Sequence, residues 1–204
     1  GGCFLALPTR ATSDAAFPRM LNWLERVPDA DRERGALAVG LAHGKARFHT
    51  DFQDLMKVGR SVGIELDGEP QTRELAAHRW LSGRKKALLS SFVVGTIDQL
   101  LFAALNSRHL ALRHLGLAGK VVIIDEAHAY DVYMSQYLDR VLEWLAAYRV
   151  PTVVLSATLP GRRRKEMIQA YEQGRQPARP RGKRQASWRA AVSPDTTTDS
   201  TPDL

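Results

Sequence analysis

The sequence predicts an α/β domain on a mostly parallel sheet, with helices packed on both faces. Three observations carry this. Short apolar runs recur at Cys3–Leu7, Ala36–Leu41, Ser91–Val94, Val121–Ile124 and Thr152–Leu155. Stretches with helical apolar spacing separate several of them. The runs read as buried strands, and strands alternating with helices build βαβ units.

Cys3–Leu7 is the first strand, stopped by Pro8. Thr12 or Ser13 then caps a helix through about Val27, which must tolerate Pro18 near its start. Ala36–Leu41 is ended by His43-Gly44. Residues 45–70 are mixed and punctuated by Gly59, Gly63, Gly68 and Pro70, and Arg73–Leu81 is helical in spacing. The third strand enters Gly95-Thr96. Ile97–Asn106 follows, with Leu100, Leu101, Ala104 and Leu105 at helical intervals. The β-branched run Val121–Ile124 is the strongest central-strand signal. Asp131–Tyr148 is amphipathic, with Tyr137, Leu138, Val141, Leu142 and Leu145 on one face. Thr152–Leu155 is the fifth strand and Arg162–Glu172 a basic helix. Residues 174–204 have few large apolar side chains, Trp188 apart, and are expected to be disordered. The domain is therefore placed at 1–173 and the tail at 174–204.

The 204 residues are 44% apolar, enough for a buried core. The apolar runs fall far short of the roughly 18 residues that suggest a membrane span. No signal-peptide pattern opens the chain. The single cysteine, Cys3, excludes an internal disulfide and fits a reducing, cytoplasmic setting. The net charge of +7 is unevenly spread: residues 1–160 contribute +2 and residues 161–204 contribute +5. Most of the basicity is thus in the tail, and says little about nucleic-acid binding by the folded part. Gly1 on an apparent strand, and an end rich in Arg, Pro, Ser and Thr, read as a fragment of a longer product.

Polar residues collect at the carboxyl ends of the strands, where open α/β sheets bind ligands. Pro8-Thr9-Arg10 follows the first strand, Gly95-Thr96 the third, Asp125-Glu126 the fourth and Ser156-Ala157-Thr158 the fifth. Adjacent carboxylates suit nucleotide hydrolysis. Asp125 is assigned to Mg²⁺, held through water, and Glu126 to the attacking water. A bare Asp-Glu pair can equally begin a loop or cap a helix. His128 is either a metal ligand beside Asp125 and Glu126 or a hydrogen-bonding link between the nucleotide and nucleic-acid sides. Ser156 and Thr158 deliver two hydroxyls, or cap the segment after Pro160.

Asp125-Glu126-Ala127-His128 with Ser156-Ala157-Thr158 resembles the DEAH-type helicases of the second helicase superfamily. Leu7-Pro8-Thr9-Arg10-Ala11-Thr12, His43-Gly44, Val94-Gly95-Thr96-Ile97-Asp98-Gln99, Asp125 through Asp131 and Leu155 through Pro160 occur in order. This set, over about residues 1–172, is similar to the CRISPR-associated helicase-nucleases of type I interference. The resemblance implies a first RecA-like lobe of a P-loop NTPase that uses ATP and Mg²⁺ and moves on single-stranded DNA. The intact relatives would work with a CRISPR RNA-guided surveillance complex. The resemblance places Thr9, Arg10, Gly95 and Thr96 on the DNA backbone, supported by Asp98 and Gln99. Asp125 and Glu126 become the catalytic pair, and His128, Ser156 and Thr158 couple hydrolysis to movement.

The chain departs from that pattern. It contains no Gly-x-x-x-x-Gly-Lys-Ser/Thr phosphate loop, no second lobe and no histidine–aspartate nuclease domain. The strand carrying the phosphate loop belongs inside such a sheet, so an exposed apolar edge or gap is expected. Low stability and little ATPase are expected of the chain alone, and whether it is an enzyme by itself stays open. Two further readings stand beside this one. One is a DEAH-type helicase fragment outside CRISPR systems. The other is a non-catalytic module binding single-stranded nucleic acid through Arg10, Thr96 and the basic stretch 162–165.

Overall fold

The structure, a computed structural model, describes residues 1–27, 38–55, 87–105 and 109–176. The helix expected at Arg73–Leu81, most of the punctuated stretch before it, and the tail beyond Gln176 lie outside the described residues. Five strands form: β1 (Gly2–Leu7), β2 (Val39–Ala42), β3 (Phe92–Thr96), β4 (Lys120–Ile124) and β5 (Thr152–Val154). The helices are α1 (Arg10–Glu25), α2 (Ile97–Leu101), α3 (Leu110–Leu117), α4 (Val132–Ala147) and α5 (Gly161–Arg175). All strand pairs are parallel, in the order β2-β3-β1-β4-β5. The register sets Leu7 level with Thr96, Ala42 with Gly95, and Ala6 with Ile124. The strand ends that carry the candidate site therefore reach one edge of the sheet at one height.

Alternate residues of each strand face opposite sides, and each side has its own core. On one side Phe4, Ala6, Val93, Val122 and Ile124 pack with Leu100 of α2 and with Leu138, Val141, Leu142 and Leu145 of α4. On the other, Leu7, Val39, Leu41 and Val94 pack with Phe17 and Leu24 of α1 and with Phe52. Each large side chain fully buried this way contributes roughly 1.5–3 kcal/mol relative to exposure. The face of α4 read from the sequence is the one that is buried. Helix α5 lies along α4, where Arg163 donates to both oxygens of Asp139 at 2.7 Å and to the carbonyl of Ser135 at 3.1 Å.

Several local features differ from the sequence expectation. The N-cap of α1 is Thr9, not Thr12 or Ser13: Thr12 N–H donates to Thr9 Oγ1, and Thr9 N–H to Thr12 Oγ1, each at 3.1 Å. A threonine at N3 thus takes the reciprocal role usual for Glu or Gln. The helix therefore starts earlier, and Pro18 sits two turns inside it. Proline has no N–H for the carbonyl of Asp14, four residues back. His49 Nε2 occupies that carbonyl instead, at 3.2 Å. Helix α2 stops at Leu101, short of the expected Asn106. The N–H groups of Ala103 and Ala104 reach back three residues, to Leu100 and Leu101, in the tighter 3₁₀ pattern. Helix α3 has no counterpart in the sequence reading, because Gly116 and the spacing of Leu110, Leu112, Leu115 and Leu117 blur its period. Helix α5 runs three residues past Glu172.

β5 is an edge strand. Val153 is 44% exposed and Leu155 beside it 46% exposed. The α1 side of β4 is also open, with Val121 38% exposed. No helix among the described residues is long and apolar enough to cross a membrane.

Candidate functional site

β4 ends at Ile124 and delivers Asp125 and Glu126 to the sheet edge. Asp125 is anchored through its backbone: its N–H donates to Ala6 C=O at 2.9 Å, and its C=O accepts from the Tyr130 hydroxyl at 2.7 Å. Asp125 Oδ1 accepts from the N–H of Glu126 at 2.9 Å. Glu126 itself has φ 55° and ψ 43°, the left-handed region. For a non-glycine residue that conformation costs of order 1 kcal/mol and needs surrounding bonds to hold it. Those bonds are present on both flanks. Tyr130 grips the preceding carbonyl, and Ala127 N–H donates to Leu155 C=O at 3.1 Å.

The neighbouring strand end completes a chain of polar contacts. His128 Nδ1 lies 3.2 Å from Ser156 Oγ and 3.2 Å from Glu126 Oε2. Ser156 Oγ donates to Thr158 C=O at 3.2 Å, so it is an acceptor for His128. His128 thereby bridges the carboxylate after β4 and the Ser-Ala-Thr segment after β5. Thr158 contributes its backbone carbonyl to this chain.

Tyr130 had no role in the sequence reading. Burial pushes its hydroxyl pKa well above the usual range, and the carboxylates of Asp125, Glu126 and Asp98 push it the same way. The hydroxyl stays protonated and remains a donor. Asp98, in the first turn of α2, is thus close enough to act on the Tyr130 hydroxyl. No sequence pattern marks a tyrosine that donates to a carbonyl five residues back; only its place shortly after His128 hinted at it.

The candidate strand-binding residues divide into exposed and buried. Thr9 and Arg10 are exposed at the start of α1, with the Thr9 side chain engaged in its cap. Gly95 and Thr96 are buried. A Cβ on Gly95 would stand 2.7 Å from Ala42 O and 3.3 Å from the Phe4 ring, so a side chain has no room there. Asp98 is exposed. Gln99 is tied into the fold: Arg113 Nη1 donates to its carbonyl at 3.1 Å and to its Oε1 at 3.3 Å.

Asp125 also sits at one end of a groove of about 540 Å³ between α1 and the sheet, walled by Leu5, Leu7, Ala16, Met20 and Ile123. Among the described residues, no three His, Cys, Asp or Glu side chains converge as a metal-binding group. A Mg²⁺ ion does not require such a cage. It keeps several waters and takes one or two carboxylates plus phosphate oxygens, so the hard donors of Asp125 and Glu126 fit it. Zinc, bound mostly by softer ligands, fits less well.

Comparison with known proteins identifies the family and the fold. The family model described as DEAD/DEAH box helicase matches residues 19–167. The CRISPR-associated nuclease/helicase Cas3 of Streptococcus thermophilus is 44% identical over 173 residues, which is 85% of this chain and 18% of that protein. The CRISPR-associated endonuclease/helicase Cas3 of Thermus thermophilus is 40% identical over 172 residues, 83% of this chain and 18% of its own. Among solved structures, T. fusca Cas3 with ATP superposes with a TM-score of 0.70 at 41% identity, over 85% of this chain and 18% of that one. The same protein with AMPPNP gives 0.67 at 41% identity, covering 85% and 17%. The chain thus spans about a fifth of the curated relatives it matches, and its five-stranded parallel sheet matches their RecA-like helicase lobe. The chain belongs to the DEAD/DEAH box helicase family and is homologous, over that part of their length, to the Cas3 nuclease/helicases of CRISPR systems.

Proposed function

We propose that this chain is part of the first motor lobe of an ATP-dependent DNA helicase acting in CRISPR defence. The observation that supports it most is the His128 bridge. One side chain joins the Asp125–Glu126 turn to the strand end carrying Ser156 and Thr158, at the edge where Thr9 and Arg10 also emerge.

In this reading Asp125 holds the metal through water and Glu126 orients and deprotonates the attacking water. Bound Mg²⁺ would neutralise charge on the phosphate oxygens. His128 draws the Glu126 carboxylate toward Ser156, so a change at either strand end is felt at the other. That is the chemistry a coupling element needs. Arg10 supplies a cation, and Thr9 a backbone or hydroxyl group, to the phosphates of single-stranded DNA, contacts that carry little sequence information, while the buried Gly95 and Thr96 shape the strand end behind them. A cytoplasmic setting and work beside a CRISPR RNA-guided surveillance complex belong to the same proposal.

Salt-dependent binding of single-stranded DNA tests the nucleic-acid half. Arg10→Ala is expected to weaken binding and to lower the salt slope by about 0.7, the value for one phosphate contact on a single strand. Binding that survives Arg10→Ala but vanishes when residues 177–204, beyond α5, are removed would assign it to the basic tail. That result would favour the non-catalytic module.

A further inference from the structure

We propose that His43 is a positioning residue for strand binding: it holds the Asp14 carboxylate away from Arg10 and so leaves that arginine available to phosphate. The proposal rests on the reading of Arg10 as a phosphate contact.

His43 follows β2 directly, and its side chain is 1% exposed. Lys45 N–H donates to His43 Nδ1 at 3.2 Å. That leaves the ring proton on Nε2, which donates to Asp14 Oδ1 at 2.8 Å. His49, from the next turn, donates to the Asp14 carbonyl that Pro18 leaves unserved in the helix. Asp14 is therefore held twice, at its carboxylate and at its carbonyl, by two histidines from the segment after β2. Phe17 and His49 meet edge to face at 5.5 Å and close the base of this cluster.

Asp14 is four residues after Arg10 on α1, so the two project from the same helix face one turn apart. A carboxylate there, 41% exposed, is the natural partner for an arginine at that spacing. Such a pair would present a neutralised guanidinium to DNA. His43 changes the competition by offering the carboxylate a fixed, buried donor on the far side from solvent. The first turn of α1 is meanwhile locked by Thr9, whose carbonyl accepts from Ser13 N–H, Ser13 Oγ and Thr12 Oγ1 at 3.1, 2.9 and 2.8 Å. The helix start stays in place, and what remains adjustable is where the Asp14 carboxylate points.

The test is fluorescence anisotropy of the full chain with a labelled oligothymidylate at several salt concentrations, with circular dichroism as a folding control. His43→Ala is expected to weaken binding about two- to threefold at low salt, the size of an exposed i,i+4 ion pair gained in competition. Adding Asp14→Ala in that background is expected to restore parental affinity. Asp14→Ala alone is expected to bind at least as tightly as the parent, and it keeps the test open if His43→Ala does not fold. If Asp14→Ala alone weakens binding as much as His43→Ala, or the double variant is not rescued, the cluster only braces α1 and the proposal is overturned. Arg10→Ala separates the two levels. A normal loss there without rescue by Asp14→Ala defeats this proposal alone, whereas no loss on Arg10→Ala defeats the phosphate-contact reading beneath it.

Discussion

At the residue scale, two side chains carry expectations that follow from burial. The Lys120 ammonium donates to the carbonyls of Leu88 and Gly116, and burial pulls its pKa down to about 8. The unfolded lysine keeps its ordinary value of 10.5. Between these values the unfolded chain binds more protons than the folded one, so stability rises with pH. Between pH 8 and 10.5 the denaturation midpoint of the parent is expected to rise relative to that of Lys120→Met, a comparison that cancels Cys3 and the tyrosines, whose raised values act the other way. A parent midpoint that falls relative to the variant across that range would contradict the assignment. Tyr130 is the second case. Tyr130→Phe removes only the donor to Asp125 C=O, and a bond of this kind contributes about 0.5–1.5 kcal/mol. The loss is expected in urea denaturation. It should come with greater hydrogen exchange at the Asp125–Ala127 turn, because that bond supports the left-handed Glu126.

At the element scale, α5 packs its Met167, Ala170 and Tyr171 into the core that holds Leu138, Val141, Leu142 and Leu145 of α4, and two close polar and backbone contacts fix how the helices sit. A Cβ added to Gly174 would stand 2.0 Å from Glu143 O. Gly174→Ala must push backbone from backbone and is expected to destabilise by about 1–3 kcal/mol. Arg163→Ala strands Asp139 and is expected to cost about 1.5–3 kcal/mol, since it removes charge-assisted bonds at a largely buried arginine. Chemical denaturation of both variants measures this. The five strands were legible in the sequence because buried parallel strands are short, continuous and apolar, as Val121–Ile124 is. The start of α1 was not, because Thr9 pairs with Thr12 where a Glu or Gln would have marked the cap. Nor was α2's early end, since Ala104 and Leu105 keep helical spacing while the backbone tightens. The site was legible as residue types at strand ends. Its internal wiring, with His128 between Glu126 and Ser156 and Tyr130 beneath Asp125, depends on a positive φ and on strand order, which a sequence does not display.

At the scale of the whole molecule, among the described residues the sheet has an unpaired edge at β5 and an uncovered apolar strip along β4 and β5. Parallel sheets are ordinarily covered on both faces, and bare edges template association. The chain is expected to self-associate, and Val153→Lys, at an exposed edge position, to reduce light scattering without lowering the denaturation midpoint. The same strip lies beside Asp125, so the open part of the fold and the Asp125–Glu126 carboxylates are neighbours. Residues 1–173 are expected to work as part of a motor lobe once the rest of a Cas3-type protein surrounds them. The test puts them in place of the matched segment of the Streptococcus thermophilus relative and measures DNA-stimulated ATP hydrolysis by the chimera. Hydrolysis is expected to depend on single-stranded DNA and to fall at least about a hundredfold on Glu126→Gln, the order expected for a general base. A folded chimera with no hydrolysis, or one indifferent to Glu126→Gln, would contradict it.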